Sequence, residues 1–427
     1  MVPQSSQKVK SVAKRMVMGL GKDVTLPERK FALEMTLGML RTGSCNVTRI
    51  AASLGEEAKT KHVLKRFDRM LMHDGLLEMA NEACLTEAIR KIDEYTAIAL
   101  DGGDIVHQYG RKFEHQAKVH DGSSKENGIG FWLNQVTGYN ESNHETFPIL
   151  LKTFSTREPG FVSANEEAFD MIDQVHAKVG CLGIWVLDRG YDGGYMLKHL
   201  LDRELRFVVR MTEKRDIWVR GERRNIREVA EGVNRRVKFS SYARFGSVKA
   251  TLMLGDDEHE VTLIAYKAKR NPGVMMLLTS GWVKSTVELK RRIRAYFRRW
   301  GVEESYRFEK QGFGIEQATV RRYARLKTLL GVTLLSWLVL VKINDQGKLR
   351  HEVNKAARME KNRRCHMPRF IYYRLLLGVK NLLASIPRML FWRRKRSPKD
   401  SLPAFGQRLL PFLPQPGTSR HELEYAL

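Results

Sequence analysis

The sequence predicts a mixed α/β fold with a β-rich insertion and helical regions at both ends. Three observations carry that prediction. Two short apolar runs, TAIALD at 96–101 and GIWVLD at 183–188, each end in an aspartate and read as buried strands. Between them lie two more strand candidates before the first helix, leaving no room for the crossovers that an all-parallel sheet requires. Strand-rich sequence then fills about 205–285, with helical sequence after it.

In chain order, residues 1 to about 94 read as helical and basic. NVTRIAASLGEEAKTKHVLKRFDRML suggests a helix, a turn at Gly55 and a second helix carrying Lys59, Lys61, Lys65, Arg66 and Arg69. That pair suits a helix-turn-helix in a DNA groove and equally an ordinary solvated helical pair. GFWLNQVTGY and TFPILLKTF follow TAIALD as strands, with turn residues between them. NEEAFDMIDQVHAKVG is a helix closed by a glycine cap, GIWVLD a strand, GGYMLKHLLDREL a helix and RFVVRM a strand. Three strands, a helix and a strand, with an Asp on the first and fourth strands, match an RNase H-like mixed sheet. VKFSSY, SVKATLML, EVTLIAYKA and VMMLLTS form the insertion. Helix returns at about Thr286 and runs, with a break near Gly312, to Val341. This gives a helical candidate DNA-binding domain at 1–94, an RNase H-like catalytic domain at 95–345 interrupted at about 205–285, and a basic helical region and tail at 346–427. The charge run FWRRKRSPKD marks the start of the tail.

The 74 Lys and Arg residues outnumber the 48 Asp and Glu, a formal charge of 74 − 48 = +26. A surplus of that size points to a polyanion, with nucleic acid the leading partner. Cys45, Cys84, Cys181 and Cys365 form no CxxC pair and read as isolated reduced thiols, which suits a cytoplasmic protein. MVPQSSQKVK holds no apolar signal core, and Leu329–Val341 is shorter than the ~20 residues a membrane span needs. No membrane partner is expected.

The chemistry is read from three acids. Asp101 in LDGGD and Asp188 in LDRGYDGG stand where buried strands meet glycine-containing sequence. A partly desolvated carboxylate needs a partner, and either a divalent cation or, for Asp188, Arg189 would serve. In AYFRRWGVEESYRFEKQG, Tyr296, Arg299, Glu303, Arg307 and Lys310 are spaced 3, 4, 4 and 3. On a continuous helix they share a stripe about 80° wide, with Ile293, Phe297, Trp300 and Phe308 beside it to pack on the sheet. The stripe offers one acid for a metal, and a phenol and three cations for phosphates. A solvated face with Arg299–Glu303 or Glu303–Arg307 pairing gives the same spacing. Glu304 and Glu309 point elsewhere on such a helix, which favours Glu303. Arg210, after the FVV strand, is a further DNA-binding candidate, and Asp104 and Asp192 are read as fixing loops.

Tyr296, Arg299, Glu303 and Lys310 match the Tyr-x2-Arg-x3-Glu-x6-Lys signature of bacterial insertion-sequence transposases with Asp-Asp-Glu triads (the IS-four type), and LDGGDI and WVLDRGYD resemble their two Asp motifs. The resemblance spans about 95–345. It implies that Asp101, Asp188 and Glu303 hold two Mg²⁺ ions, with Mn²⁺ as a substitute, and catalyse cleavage of transposon ends and transfer of the 3′-OH to target DNA. It also implies DNA contacts from Tyr296, Arg299, Arg307 and Lys310, double-stranded end repeats and target DNA as partners, and a dimer on DNA in the cytoplasm at the nucleoid. A nuclease of the same fold that never joins DNA, and an inactive DNA-binding descendant of a transposase, are the rival readings.

Overall fold

The computed structural model describes residues 2–73, 75–107, 112–120, 126–271, 273–357 and 370–386. Five helices come first: α1 (Val2–Met18), α2 (Leu26–Thr42), α3 (Val47–Ser53), α4 (Thr60–Met70) and α5 (Leu76–Ile89). A capping box starts α2, where Thr25 and Glu28 satisfy each other's backbone donors. The helix pair expected at Asn46–Leu71 is present as α3 and α4. Lys59, Lys61, Lys65 and Arg69 are exposed there, whereas Arg66 is held by Glu34 and Glu56.

The first sheet segment comprises β1 (Ala97–Val106), β2 (Ala117–His120), β3 (Asn127–Asn140) and β4 (Glu145–Phe154), followed by α6 (Ala164–Val179), β5 (Ile184–Leu187), α7 (Gly194–Asp202) and β6 (Phe207–Arg210). β4 pairs antiparallel with β3, β3 antiparallel with β1, and β5 and β6 continue parallel to β1. The chain is therefore a mixed α/β protein with an RNase H-like core, as the order of the strands predicts. Ser163 caps α6 and Gly180, at φ 62°, closes it.

The insertion adds β7 (Asp216–Val219), β8 (Glu222–Asn225), α8 (Ile226–Gly232), β9 (Val237–Ser240), β10 (Ala243–Leu254), β11 (Asp257–Ala268) and β12 (Met275–Ser280). β12 pairs antiparallel with β6. The insertion thus extends the catalytic sheet instead of folding apart from it, and the whole reads β2-β3-β1-β5-β6-β12-β11-β10-β7-β8. Sequence reading missed β2 and the exposed β7–β8 ribbon.

Then come α9 (Thr286–Arg298), α10 (Trp300–Phe308), α11 (Tyr323–Asp345), α12 (Gly347–Ala357) and α13 (Tyr372–Ala384). The expected single helix breaks earlier than Gly312. α9 ends at Arg298, residues Glu309–Phe313 take π-helical turns, and Gly314 at φ 69° ends the run. α11 is long and apolar enough to cross a membrane by length and composition, and 89% of its most apolar window is buried inside the protein. It packs against α1, α2, α5 and β4 as a core helix. The charge run at 391–400, the tail after it and Cys365 lie outside the described residues. Cys45, Cys84 and Cys181 are free thiols.

Candidate active site

Sheet register builds the site. Ala99, Val186 and Val208 are aligned across β1, β5 and β6. Two residues further along each chain stand Asp101, Asp188 and Arg210, one row and, by strand alternation, one face. β5 pairs only with Ala97–Ala99 and ends at Leu187, so β1 outruns it. The sheet opens at that point, beside Asp101.

Asp101 is not at a strand end, as the sequence suggests, but in the middle of β1. The strand stays extended through Gly102 and Gly103 because β3 pairs with it as far as Val106↔Gly130. The glycines serve an approach. A Cβ on Gly103 would meet the Tyr306 ring at 3.0 Å, and Tyr306 of α10 donates its hydroxyl to the Asp101 carbonyl at 2.6 Å. α10 is thereby clamped on β1 next to the acid.

Arg299 stands at the α9–α10 junction and joins two of the three acids. Its guanidinium donates to Asp101 at 2.7 Å and to Glu303 at 2.7 Å. The Asp101 carboxyl is pushed up to about 7: burial raises it most, Arg299 opposes that, and the negative charges of Asp188 and Glu303 add to the rise. Asp188 accepts the Gly190 N–H at 2.7 Å and has no ion pair among the described residues, so the Arg189 pairing considered from sequence is not formed. Tyr191, which sequence reading missed, lies beside both aspartates. Burial, then Asp101 and Asp188, hold its phenol above the ordinary tyrosine value.

The single stripe expected on the helix is split by the break at Arg299 and the π turns. Tyr296 is only 6% exposed. Arg307 turns to Glu304 and lies over the Trp300 ring, away from Asp101. Lys310 donates to Asp104 at 2.9 Å and to Glu316 at 2.9 Å. Burial opposes its charge, and those two hydrogen bonds overcome it, leaving its pKa raised. Phe297 and Trp300, expected against the sheet, are 39% and 43% exposed. Ile293 is buried as expected, Phe308 is buried among the rings of Trp337, Phe370 and Tyr372 instead of on the sheet, and Tyr306 seats on β1. Arg210 at the end of β6 is half-buried with no ion pair among the described residues.

The donor set suits a hard divalent cation: carboxylate oxygens of Asp101, Asp188 and Glu303, whose charges oppose one another at Asp101 and of which Arg299 offsets two. Among the described residues no three acids close around a single point. Arg299 lies between Asp101 and Glu303 and supplies the counter-charge.

The family model described as transposase DDE domain matches residues 93–339, more than half of the chain. The chain belongs to the transposase DDE domain family. This DNA transposase has no match among curated proteins. Among solved structures, a piggyBac transposase synaptic complex with hairpin DNA is similar at a TM-score of 0.43 and 14% identity, covering 98% of this chain and 84% of that chain.

Proposed function

We propose that this transposase cuts the ends of its own element and joins the freed 3′-OH to target DNA, with Asp101, Asp188 and Glu303 as the catalytic acids. The observation that supports the reading is that Asp101 of β1 feels the charges of both Asp188, after β5, and Glu303 of α10, with Arg299 pairing with Asp101 and Glu303, beside the point where β1 outruns β5. The three acids would hold two Mg²⁺ ions, or Mn²⁺ in their place. When bound, these ions supply nucleophile activation and charge stabilisation for an in-line displacement at phosphorus. In the first displacement a water oxygen bonds to phosphorus and the P–O3′ bond breaks, leaving a 3′-OH. In the second, that 3′ oxygen bonds to a target phosphorus while the target's own P–O3′ bond breaks, and the displaced target 3′ oxygen takes up a proton and leaves as a hydroxyl. One site suffices for both, because only the attacking oxygen changes.

The surrounding side chains hold and orient. Arg299 keeps the Asp101 and Glu303 carboxylates within reach of each other and offsets their repulsion. Arg210, in the acid row and without an ion pair among the described residues, is suited to a phosphate beside Asp188. Tyr306 fixes the Asp101 backbone. Lys310 acts as a strut between Asp104 and Glu316, so its part in the Tyr-Arg-Glu-Lys signature is to set the helix rather than to grip DNA. Tyr296, nearly buried, supports the Arg299 turn. Assignment to the insertion-sequence group bearing that signature rests on its spacing together with the two Asp motifs.

The test uses the purified chain, Mg²⁺ and duplexes carrying its element's ends, with products mapped to the nucleotide and a target plasmid added. Nicked or cut ends that become joined to plasmid support transposition. Cutting without joining, even from precut 3′-OH ends, identifies a nuclease and overturns the transfer step. Asp101→Asn, Asp188→Asn and Glu303→Gln are each expected to lose at least ~10³-fold in cleavage while retaining DNA binding.

A further inference from the structure

An open groove of about 450 Å³ lies between the α3–α4 pair and the segment that follows the catalytic helix. Thr48, Leu64 and Lys65 belong to one wall, Thr319–Arg321 to the other. Asp68 of α4 is the one acid among the described residues that line it, and Arg325 of α11 neutralises it at 2.6 Å. A cation is left on each wall. Lys65 and Arg321 are exposed, and neither forms an ion pair among the described residues. Thr48 and Thr319 are also exposed, and their hydroxyls make no hydrogen bond among the described residues. Facing cations with hydroxyl donors beside them suit an extended anion that offers acceptors to both walls. With a formal charge of +26 on the chain, that anion is a nucleic-acid backbone. Leu64, Lys65 and Asp68 turn one side of α4 to the opposite wall, so that side does not enter a DNA groove as a recognition helix would. A strand of DNA enters the protein's groove instead.

Both walls are fastened to the end of the catalytic helix. Cys45 donates its amide to the Phe313 carbonyl at 2.6 Å and its thiol to the Gly314 carbonyl at 2.9 Å. The next residue, Asn46, caps α3 through the Arg49 amide at 3.0 Å, which sets the first wall. The second wall continues the chain from Gly314. Glu316 is held there by Lys310 at 2.9 Å, and the Arg321 carbonyl accepts the Glu114 amide at 2.9 Å. Lys310 also pairs with Asp104, three residues beyond Asp101 on β1. The groove is thus held in fixed relation to α10 and to the strand bearing the first acid.

We infer that this groove holds the sugar–phosphate backbone of one strand of the element-end duplex, with Lys65 and Arg321 on its phosphates, and so sets the register of the duplex on the catalytic helix. The inference rests on the proposed DNA-cutting function and deepens it. Its test reads binding without divalent cation, so a chain that binds but never cuts still answers it. Lys65→Gln/Arg321→Gln is compared with the unaltered chain and with Lys238→Gln/Lys267→Gln, which removes two exposed cations of the insertion and the same net charge. The slope of log affinity against log salt is expected to become shallower by about 2 in the groove variant, at ~0.9 per phosphate contact, and by less than about 1 in the control. The affinity lost should be equal on the element end and on a scrambled duplex, because backbone contacts carry no sequence. Neutral methylphosphonate linkages placed singly along the duplex should weaken the unaltered chain at one or two positions where they leave the groove variant unaffected. Tm should hold, since both side chains are exposed. An unchanged slope, an equal change in the control, or no methylphosphonate position that separates the two proteins overturns the inference. A loss confined to the element end overturns the backbone assignment, and a fall in Tm shows that the two cations serve the fold instead.

Discussion

Glu309 is fully buried, and among the described residues it has no cation within ion-pair distance. Gln135, the β3 residue directly opposite Asp101, donates its amide to one Glu309 oxygen at 3.0 Å. The other Glu309 oxygen and the Gln135 amide oxygen are buried without partners. A proton on Glu309 satisfies both at once, as a reciprocal acid–amide pair. Burial pushes the carboxyl up to about 8, with only the Gln135 hydrogen bond opposing. Between the unfolded carboxyl range near ~4.3 and about 8, the folded chain holds a proton that the unfolded chain releases, so this group lowers stability as pH rises. Glu309→Gln keeps the pairing and removes the titration. It should stabilise by a few kcal/mol at pH 8 and by little at pH 5, as read from denaturant midpoints; an equal effect at both would contradict a protonated pair. At Lys310, removal takes the paired cation from the nearly buried Asp104. Lys310→Ala should cost roughly 3 kcal/mol of stability and leave the salt slope of DNA binding unchanged. A shallower slope would restore Lys310 as a phosphate contact.

At the scale of elements, the site depends on α10 seating against β1. Gly103→Ala brings a Cβ to 3.0 Å from the Tyr306 ring. The helix must then give way, at a cost of about 1–3 kcal/mol in stability and a larger proportional loss in cleavage. Equal thermal midpoints and full activity would show that the seat is not required. The elements that place the acids were legible because they are buried on both faces: TAIALD and GIWVLD are unbroken apolar runs with few alternatives. Glu303 stood out from Glu304 by helical spacing alone. What periodicity hid was local. Arg223 and Arg224 give β8 no apolar pattern to detect, and the Arg220–Gly221 turn cuts β7 short after the three apolar residues Ile217–Val219. The glycines after Asp101 read as a strand end, although they remain extended to admit Tyr306. A break at Arg299 and π turns at Glu309–Phe313 shift every side chain after them, which moved Arg307 and Lys310 off the expected face. Tyr191 and Gln135 carry no signal apart from their neighbours in space.

Across the whole molecule, residues 1–389 cluster as one compact unit. The N-terminal helices are part of its core: α1, α2 and α5 cover α11, and a Cβ on Gly331 would meet the Leu76 carbonyl oxygen at 2.8 Å. The loop before α3 also grips the site helix, since the Cys45 amide donates to the Phe313 carbonyl at 2.6 Å. A truncated chain beginning at residue 93 should therefore expose α11 and aggregate. A soluble, cooperatively folding truncation would make those helices a separate domain.

The central claim is that Asp101, Asp188 and Glu303 act together as one cation-holding cluster. Calorimetric titration of Mn²⁺ into the unaltered chain and into Asp101→Asn, Asp188→Asn and Glu303→Gln tests it most directly. The account predicts saturable binding that weakens at least ~10-fold in every variant. Binding that is unchanged in any one of the three would remove that residue from the cluster and contradict the account.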